Sequence, residues 1–245
     1  MVALVAVSAA SLPSGGSRTE FDCAFNRSVE ELRSDVALQP RDLTQMTFKN
    51  CNLTELDFSF LAEYPNLDYL RVQGGWLAEF KRMPVVPELK YVRISTAGFQ
   101  RWWGPSLTPK LNDVELQFIA DDVIMDGIVD SLMDNEDTLE YLHLSDSGLS
   151  RVPAKVHRFT RLKQFYFYNN PRTFRLTNGT FPAAFKPQVL DIGDTIRTIE
   201  PGTFAGRSPT TTPSFRSSFS TSKFEAGIGI FFTELEMSTP PSDVS

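Results

Sequence analysis

The side chains best suited to acid–base chemistry near neutral pH are the chain's two histidines, His143 and His157. A working site needs a nucleophile or several ligands converging on the same atoms. The sequence contains no H-E-x-x-H pair, no G-x-S-x-G elbow, no phosphate-cradling glycine loop and no Cys-x-x-Cys. Glu115 is expected beside His143 on a neighbouring strand, so a His–Glu contact is expected. No nucleophile or ligand set accompanies that pair, and the expectation is a non-enzyme without a cofactor or metal. Asp122, Asp126, Asp130 and Asp134 recur every four residues. Such a stripe attracts cations, but it lacks the turn glycine and mixed oxygen ligands of a calcium loop. It reads as a solvated helix face. The residues that remain are suited to contact rather than bond-breaking: Tyr69, Arg71, Tyr91, Arg93, Tyr141, Tyr166 and Tyr168. Tyrosine and arginine give large, fairly rigid area together with hydrogen bonds.

The elements that must position these side chains follow from a recurring frame. "TLEYLHLSDSGLSRVP" places Leu139, Leu142, Leu144, Leu149 and Val152 in an L-x-x-L-x-L-x-x-S-x-L-x-x-V pattern. The pattern returns in "LTQMTFKNCNLTEL", "LDYLRVQGGWLAEF", "LKYVRISTAGFQRW", "LNDVELQFI", "LKQFYFYNN" and "VLDIGDTIRTI". Its second position falls at residues 46, 70, 92, 114, 142, 165 and 190, at intervals of 24, 22, 22, 28, 23 and 25. Within each copy the two-step alternation, such as Leu142 and Leu144, predicts a short strand with both side chains turned inward. One copy cannot bury its own apolar edge, whereas stacked neighbours can.

This frame resembles the leucine-rich repeat family, and the likeness covers residues 43–206. It implies an α/β fold: a right-handed, curved solenoid of about seven repeats, with a parallel sheet on its concave face. The ninth frame position is Asn or Cys in that family. Here it holds Cys51, Gly75, Ala97, Ile119, Ser147, Asn170 and Thr195, so an irregular ladder is expected, with water or backbone replacing part of it. "LEYLHLSDSGL", "FYFYNNP" and "LDIGDTIRTIEPGTFAG" are most similar to the secreted arthropod members, which include non-catalytic subunits of shrimp luciferase. That likeness implies an accessory protein that accompanies or stabilises a protein partner, and nothing about light emission.

Outward positions then fall into columns. One holds Gln45, Tyr69, Tyr91, Asp113, Tyr141 and Gln164. The next holds Thr47, Arg71, Arg93, Glu115, His143, Tyr166 and Asp191. A third holds Lys49, Gln73, Ser95, Gln117, Ser145 and Tyr168. Tyr69, Tyr91, Arg71 and Arg93 should form a two-by-two cluster with Glu115 and His143 beyond it. This concave face is the expected protein-binding surface. Cross-strand stacking that only stabilises the sheet is the alternative reading. Trp103, in "RWWGP", is a second candidate anchor.

The bulk numbers bound the rest. The chain has 245 residues, a net charge of −6 and a pI near 5.1. That balance argues against a nucleic-acid partner, which calls for a clustered basic face, and no apolar run is long enough to span a bilayer. Residues 1–17 read as a secretion signal or an unstructured start. The triplets at Asn26, Asn52 and Asn178 are glycosylation acceptors if the chain is extracellular. Residues 18–42 form an N-terminal cap, in which Ser28 and Glu31 are spaced as a capping box. Cys23 in that cap faces Cys51 in the first copy, and the residues leave a disulfide and a buried thiol both open. "DDVIMDGIVDSLMDNED" is spaced as an amphipathic helix through Ile124, Ile128 and Leu132. Phe159 and Phe204 are expected to stack along the convex side. Residues 207–245 form a Ser/Thr/Pro-rich tail, whose "AGIGIFFTELEM" could dock on the open end. The favoured function is secreted, non-enzymatic protein binding or scaffolding. The alternatives are a truncated innate-immune receptor ectodomain that binds a microbial or protein ligand, and an intracellular adaptor.

Overall fold

A computed structural model describes residues 17–23, 28–81, 84–102, 108–173, 175–193 and 195–204. The expectations for the N-terminal signal, Asn26, Trp103 and the tail concern residues outside these. Strands β1 (Arg18–Asp22), β2 (Gln45–Asp57), β3 (Tyr69–Lys81), β4 (Tyr91–Ala97), β5 (Arg101–Trp102), β6 (Asp113–Gln117), β7 (Tyr141–Ser145), β8 (Gln164–Phe167) and β10 (Val189–Ile192) make one sheet. Its order is β1-β2-β3-β4-β6-β7-β8-β10, with β5 added beside β3. A small second sheet pairs β9 (Arg175–Leu176) with β11 (Thr198–Ile199). Every pairing among the described residues is parallel.

The frame sets the register. Met46 pairs with Leu70, Leu70 with Val92, Val92 with Val114, Val114 with Leu142, Leu142 with Phe165, and Phe165 with Leu190. All seven are at most 3% exposed. Alternation along β4 and β7 sends these side chains and their partners two residues on, Ile94 and Leu144, to one face. There they join Leu149, Phe159 and Leu162 in one core cluster running from Phe21 to Ile196. Each such leucine buried contributes about 1.5–3 kcal/mol relative to exposure, so the repeated frame is the main source of cohesion.

Between strands, backbone amides reach to the preceding copy. Lys90 and Tyr91 donate to Asp68 O, Asn112 and Asp113 to Lys90 O, and Glu140 and Tyr141 to Asn112 O. The ladder at the ninth position is fuller than the sequence suggests. Ser147 Oγ accepts from Ile119 N at 3.0 Å and donates to Ser145 O at 2.8 Å. Asn170 Nδ2 donates to Leu144 O and Tyr168 O, and Thr195 Oγ1 donates to Asn170 O. Hydroxyls therefore take the role expected only of Cys and Asn, because a donor and an acceptor on a short side chain suffice at this distance. Cys51 is not a free thiol: it is bridged to Cys23.

The N-terminal cap carries α1 (Val29–Ala37), with the expected capping box between Ser28 and Glu31. Its Leu32 and Val36 enter the core. The frame does not foresee β1, which extends the sheet by pairing Arg18 with Gln45 through Asp22 with Lys49. Nor does it foresee that β2 and β3 stay paired from Cys51–Gly75 to Asp57–Lys81.

Helix α2 (Asp122–Ser131) forms where the spacing predicts it, capped by Asp121 Oδ1, which accepts from Val123 N and Ile124 N at 3.0 Å. Met125, Ile128, Val129 and Leu132 are buried. The aspartate stripe is not simply solvated. Asp126 pairs with Arg151, Asp130 with Lys155 at 2.8 Å, and Asp122 accepts from Ser150 N at 2.9 Å. Glu136–Arg158 at 2.9 Å and Glu140–Lys163 at 2.6 Å continue the series. Residues 111–150 contain no Lys or Arg, so Asp126, Asp130 and Glu136, in the copy that begins at Leu111, take their counter-charge from the copy that begins at Leu139, and Glu140 takes its own from the copy after that.

Phe159 is buried, but Phe204 stacks on Phe181 at 5.5 Å between centroids, not on Phe159. The inserted aromatic pair Phe181 and Phe185, 5.6 Å apart, occupies the last arm and brings Phe204 to itself.

One frame position, within β2 and β3 and just beyond β6, β7 and β8, is left-handed in several copies: Asn50 (φ 54°), Gly74 (68°), Phe118 (62°), Asp146 (50°) and Asn169 (51°). Gly, Asn and Asp tolerate that conformation, whereas phenylalanine there is an outlier. Phe118 is also 50% exposed.

Candidate functional site

The sheet face away from the core holds the predicted columns. Tyr69, Tyr91, Asp113, Tyr141 and Gln164 pair in sequence across β3, β4, β6, β7 and β8, and so do Arg71, Arg93, Glu115, His143 and Tyr166. The structure therefore brings together the sheet-face residues of the candidate site; Tyr168, just beyond β8, joins them through its hydroxyl, which bonds with Ser145, and its carbonyl accepts from Asp146 N at 3.2 Å.

The expected cluster has a definite geometry. The Tyr69 and Tyr91 rings lie 6.3 Å apart at 41°. The Arg93 guanidinium lies 5.9 Å above the Tyr69 ring, a cation–π distance. The same guanidinium is 3.4 Å from Glu115 and 4.0 Å from Asp113. Arg93 is thus the hub of the face, held from one side by an aromatic ring and from the other by two carboxylates. Tyr69 is only 6% exposed, so it supports Arg93 rather than offering contact area. Arg71, Tyr91, Tyr141, His143, Tyr166 and Tyr168 are half-buried.

His143 and Glu115 face each other in register, yet the expected His–Glu contact is replaced. The imidazole packs against the Tyr166 ring at 4.2 Å. Glu115 instead meets Arg93 and accepts from Gln117 Nε2 at 3.2 Å. Burial, then the charge of Arg93, pushes His143 down to about 4, so the imidazole is neutral at pH 7.

Sequence reasoning does not single out Asp113 as a site residue, although it stands in the tyrosine column. It is 6% exposed between Tyr91 and Tyr141. Burial raises its carboxyl to about 6, against the lowering influence of Arg93, and Glu115 raises it further. The same acid and the burial of its ring push Tyr91 upward, burial being the larger cause. The available signal is its type: an acid alone in a row of aromatic and amide residues. Gln117 and the fully buried Ser145 complete the face, with Gln117 Nε2 donating to Ser145 Oγ at 3.4 Å. Burial also raises the Tyr168 hydroxyl, which a bond with Ser145 partly offsets. Tyr166 donates to Gln164 Oε1 at 2.8 Å. A connected polar network thus runs from Arg93 on β4 through Glu115, Gln117 and Ser145 to Tyr168 just beyond β8.

Elsewhere, a shallow pocket of about 300 Å³ lies between α1 and the turn Ser59–Glu63, over Val36, Phe60 and Tyr64. Its arginines are already paired, Arg33 with Asp57 at 3.2 Å and Arg41 with Glu63. No group of three His, Cys, Asp or Glu side chains able to hold a metal ion occurs among the described residues. No helix among them is long and apolar enough to cross a membrane. Of the other predicted residues, Asn52 and Asn178 are exposed. No protein-family model and no curated protein matches the chain.

Proposed function

We propose that the chain is a leucine-rich repeat solenoid of about seven repeats, right-handed and curved, and that it is a secreted, non-enzymatic protein-binding or scaffold protein. Its binding surface is the Tyr/Arg face of the sheet, and an accessory subunit that stabilises a partner protein is the form that suits it best. The observation that carries this reading is the unbroken register of the frame, Met46 to Leu190. It aligns tyrosine, arginine and histidine into columns already ordered by their own contacts, and pre-ordering lowers the entropy cost of association. The Cys23–Cys51 bridge and the exposed Asn52 and Asn178 support an oxidising, extracellular setting over an intracellular adaptor.

The test is a capture experiment from the source organism's extracellular fluid. It compares the parent with an Arg71→Ala/Tyr141→Ala variant, whose unchanged melting curve would show an intact fold. These two are chosen because Tyr69 and Arg93 support the face itself. Loss of most of the captured partner by the variant is expected. Equal recovery of the same partners by both proteins would remove the sheet face as the binding surface.

A further inference from the structure

We infer that Asn52 carries an N-linked glycan whose first sugar rests on the exposed indole of Trp76. The inference builds on the proposal that the chain is secreted, and the geometry beneath it is independent of the Tyr/Arg face.

Asn52 and Trp76 are direct partners across β2 and β3. Both are exposed, Trp76 by 40%. The Trp76 backbone N–H donates to Asn52 Oδ1 at 3.0 Å. This bond fixes the amide with its oxygen engaged. Nδ2, the atom that would be glycosylated, has no partner among the described residues. Thr54 completes the N-L-T triplet. The indole is itself held in place. A Cβ on Gly98 would lie 1.7 Å from Trp76 Nε1 and 2.2 Å from Cδ1, so the ring rests on a backbone that only glycine leaves open. A half-exposed tryptophan held over Gly98, on the residue in register with the acceptor, offers a rigid flat ring within one sugar's reach, and the C–H face of a pyranose stacks on such a ring. Asn178 is also exposed, but its Oδ1 crowds Gly202, and its backbone N–H is taken by Glu200 at 2.9 Å. It has no such aromatic partner in register and serves as the internal control.

The transfer balances with a lipid-pyrophosphate-linked oligosaccharide as donor. Asn52 Nδ2 bonds to the sugar C1, the bond from C1 to the pyrophosphate oxygen breaks, the lipid pyrophosphate leaves, and the amide gives up one proton.

The test expresses the chain in a eukaryotic host behind an established secretion leader. It then enters the secretory route whatever its own first residues do, and failure of the native signal is scored separately by omitting that leader. Peptide mass analysis after enzymatic release should find Asn52 occupied. Removing the glycan should lower the melting temperature of the parent by about 2–4 °C more than that of Trp76→Ala, a difference in which any glycan on Asn178 cancels. Should the variant not fold, nuclear Overhauser contacts between the sugar and the indole in the parent decide the matter. An unmodified Asn52 in secreted, folded protein would overturn the site. An equal shift in parent and variant, or no sugar–indole contact, would overturn the stacking.

Discussion

Replacing Asp113 with asparagine should stabilise this protein, and only at neutral and higher pH. Asp113 is 6% exposed and its carboxyl, ordinarily titrating near 3.8, is held at about 6. In the unfolded chain it ionises at its usual value. The folded state therefore retains a proton that the unfolded state has lost between roughly pH 4 and pH 6. The stability tied to the protonated form is fully present below about pH 4 and is lost as pH rises through about 6. Above that, the ionised side chain costs about 3 kcal/mol, at 1.36 kcal/mol for each tenfold change in proton affinity. The substituted amide would keep the shape and an acceptor for Arg93 but carry no charge. Arg93 also remains paired with Glu115. In thermal unfolding at pH 4 and pH 8, Asp113→Asn should match the parent at the lower pH. At pH 8 it should melt higher by about 6–12 °C if the full penalty is relieved. Taking the difference from the parent removes the background common to both proteins. An Asp113→Asn protein no more stable than the parent at pH 8, or one with the same offset at both values, would refute the idea that burial governs this carboxyl.

Two further outcomes follow from other parts of the fold. His143 is held down to about 4 by burial and by Arg93. Its contribution is present above the unfolded value near 6.5 and lost as pH falls through about 4. His143→Gln should therefore lose less stability than the parent between pH 7 and pH 4, as read by denaturant titration at the two values; equal losses would contradict this. Phe118→Asn should raise stability by about 1 kcal/mol, because asparagine accepts the left-handed backbone that phenylalanine adopts at a cost. A lower denaturant midpoint would mean that the half-exposed ring contributes more packing than its backbone costs.

Residues with only one structural job were legible in the sequence. Met46, Leu70, Val92, Val114, Leu142, Phe165 and Leu190 can be recognised by spacing alone, and they pair as that spacing requires. Helix α2 and the Ser28–Glu31 capping box are local patterns and were equally readable. β1 was not, because "RTEFD" buries only Phe21 and lacks the full frame. Its pairing comes from the exposed edge of β2 rather than from its own periodicity. On the sheet face, the columns follow from the frame, but the titration behaviour within them depends on burial. Asp113 reads as an ordinary acid in the sequence, yet burial raises it to about 6. Nor does the register alone foresee that the His143 ring packs on Tyr166 rather than meeting Glu115. Asn50, Asp146 and Asn169 announce a left-handed turn by type, and Phe118 conceals one.

Asp126, Asp130 and Glu136 of the copy that begins at Leu111, answered by Arg151, Lys155 and Arg158 of the copy that begins at Leu139, write an order into the sequence. These two copies are complementary, as two halves of a torn page are, rather than interchangeable bricks. Excising the acidic copy or moving it elsewhere in the chain would strip both halves of their counterpart at once, a seam at which shuffling is penalised.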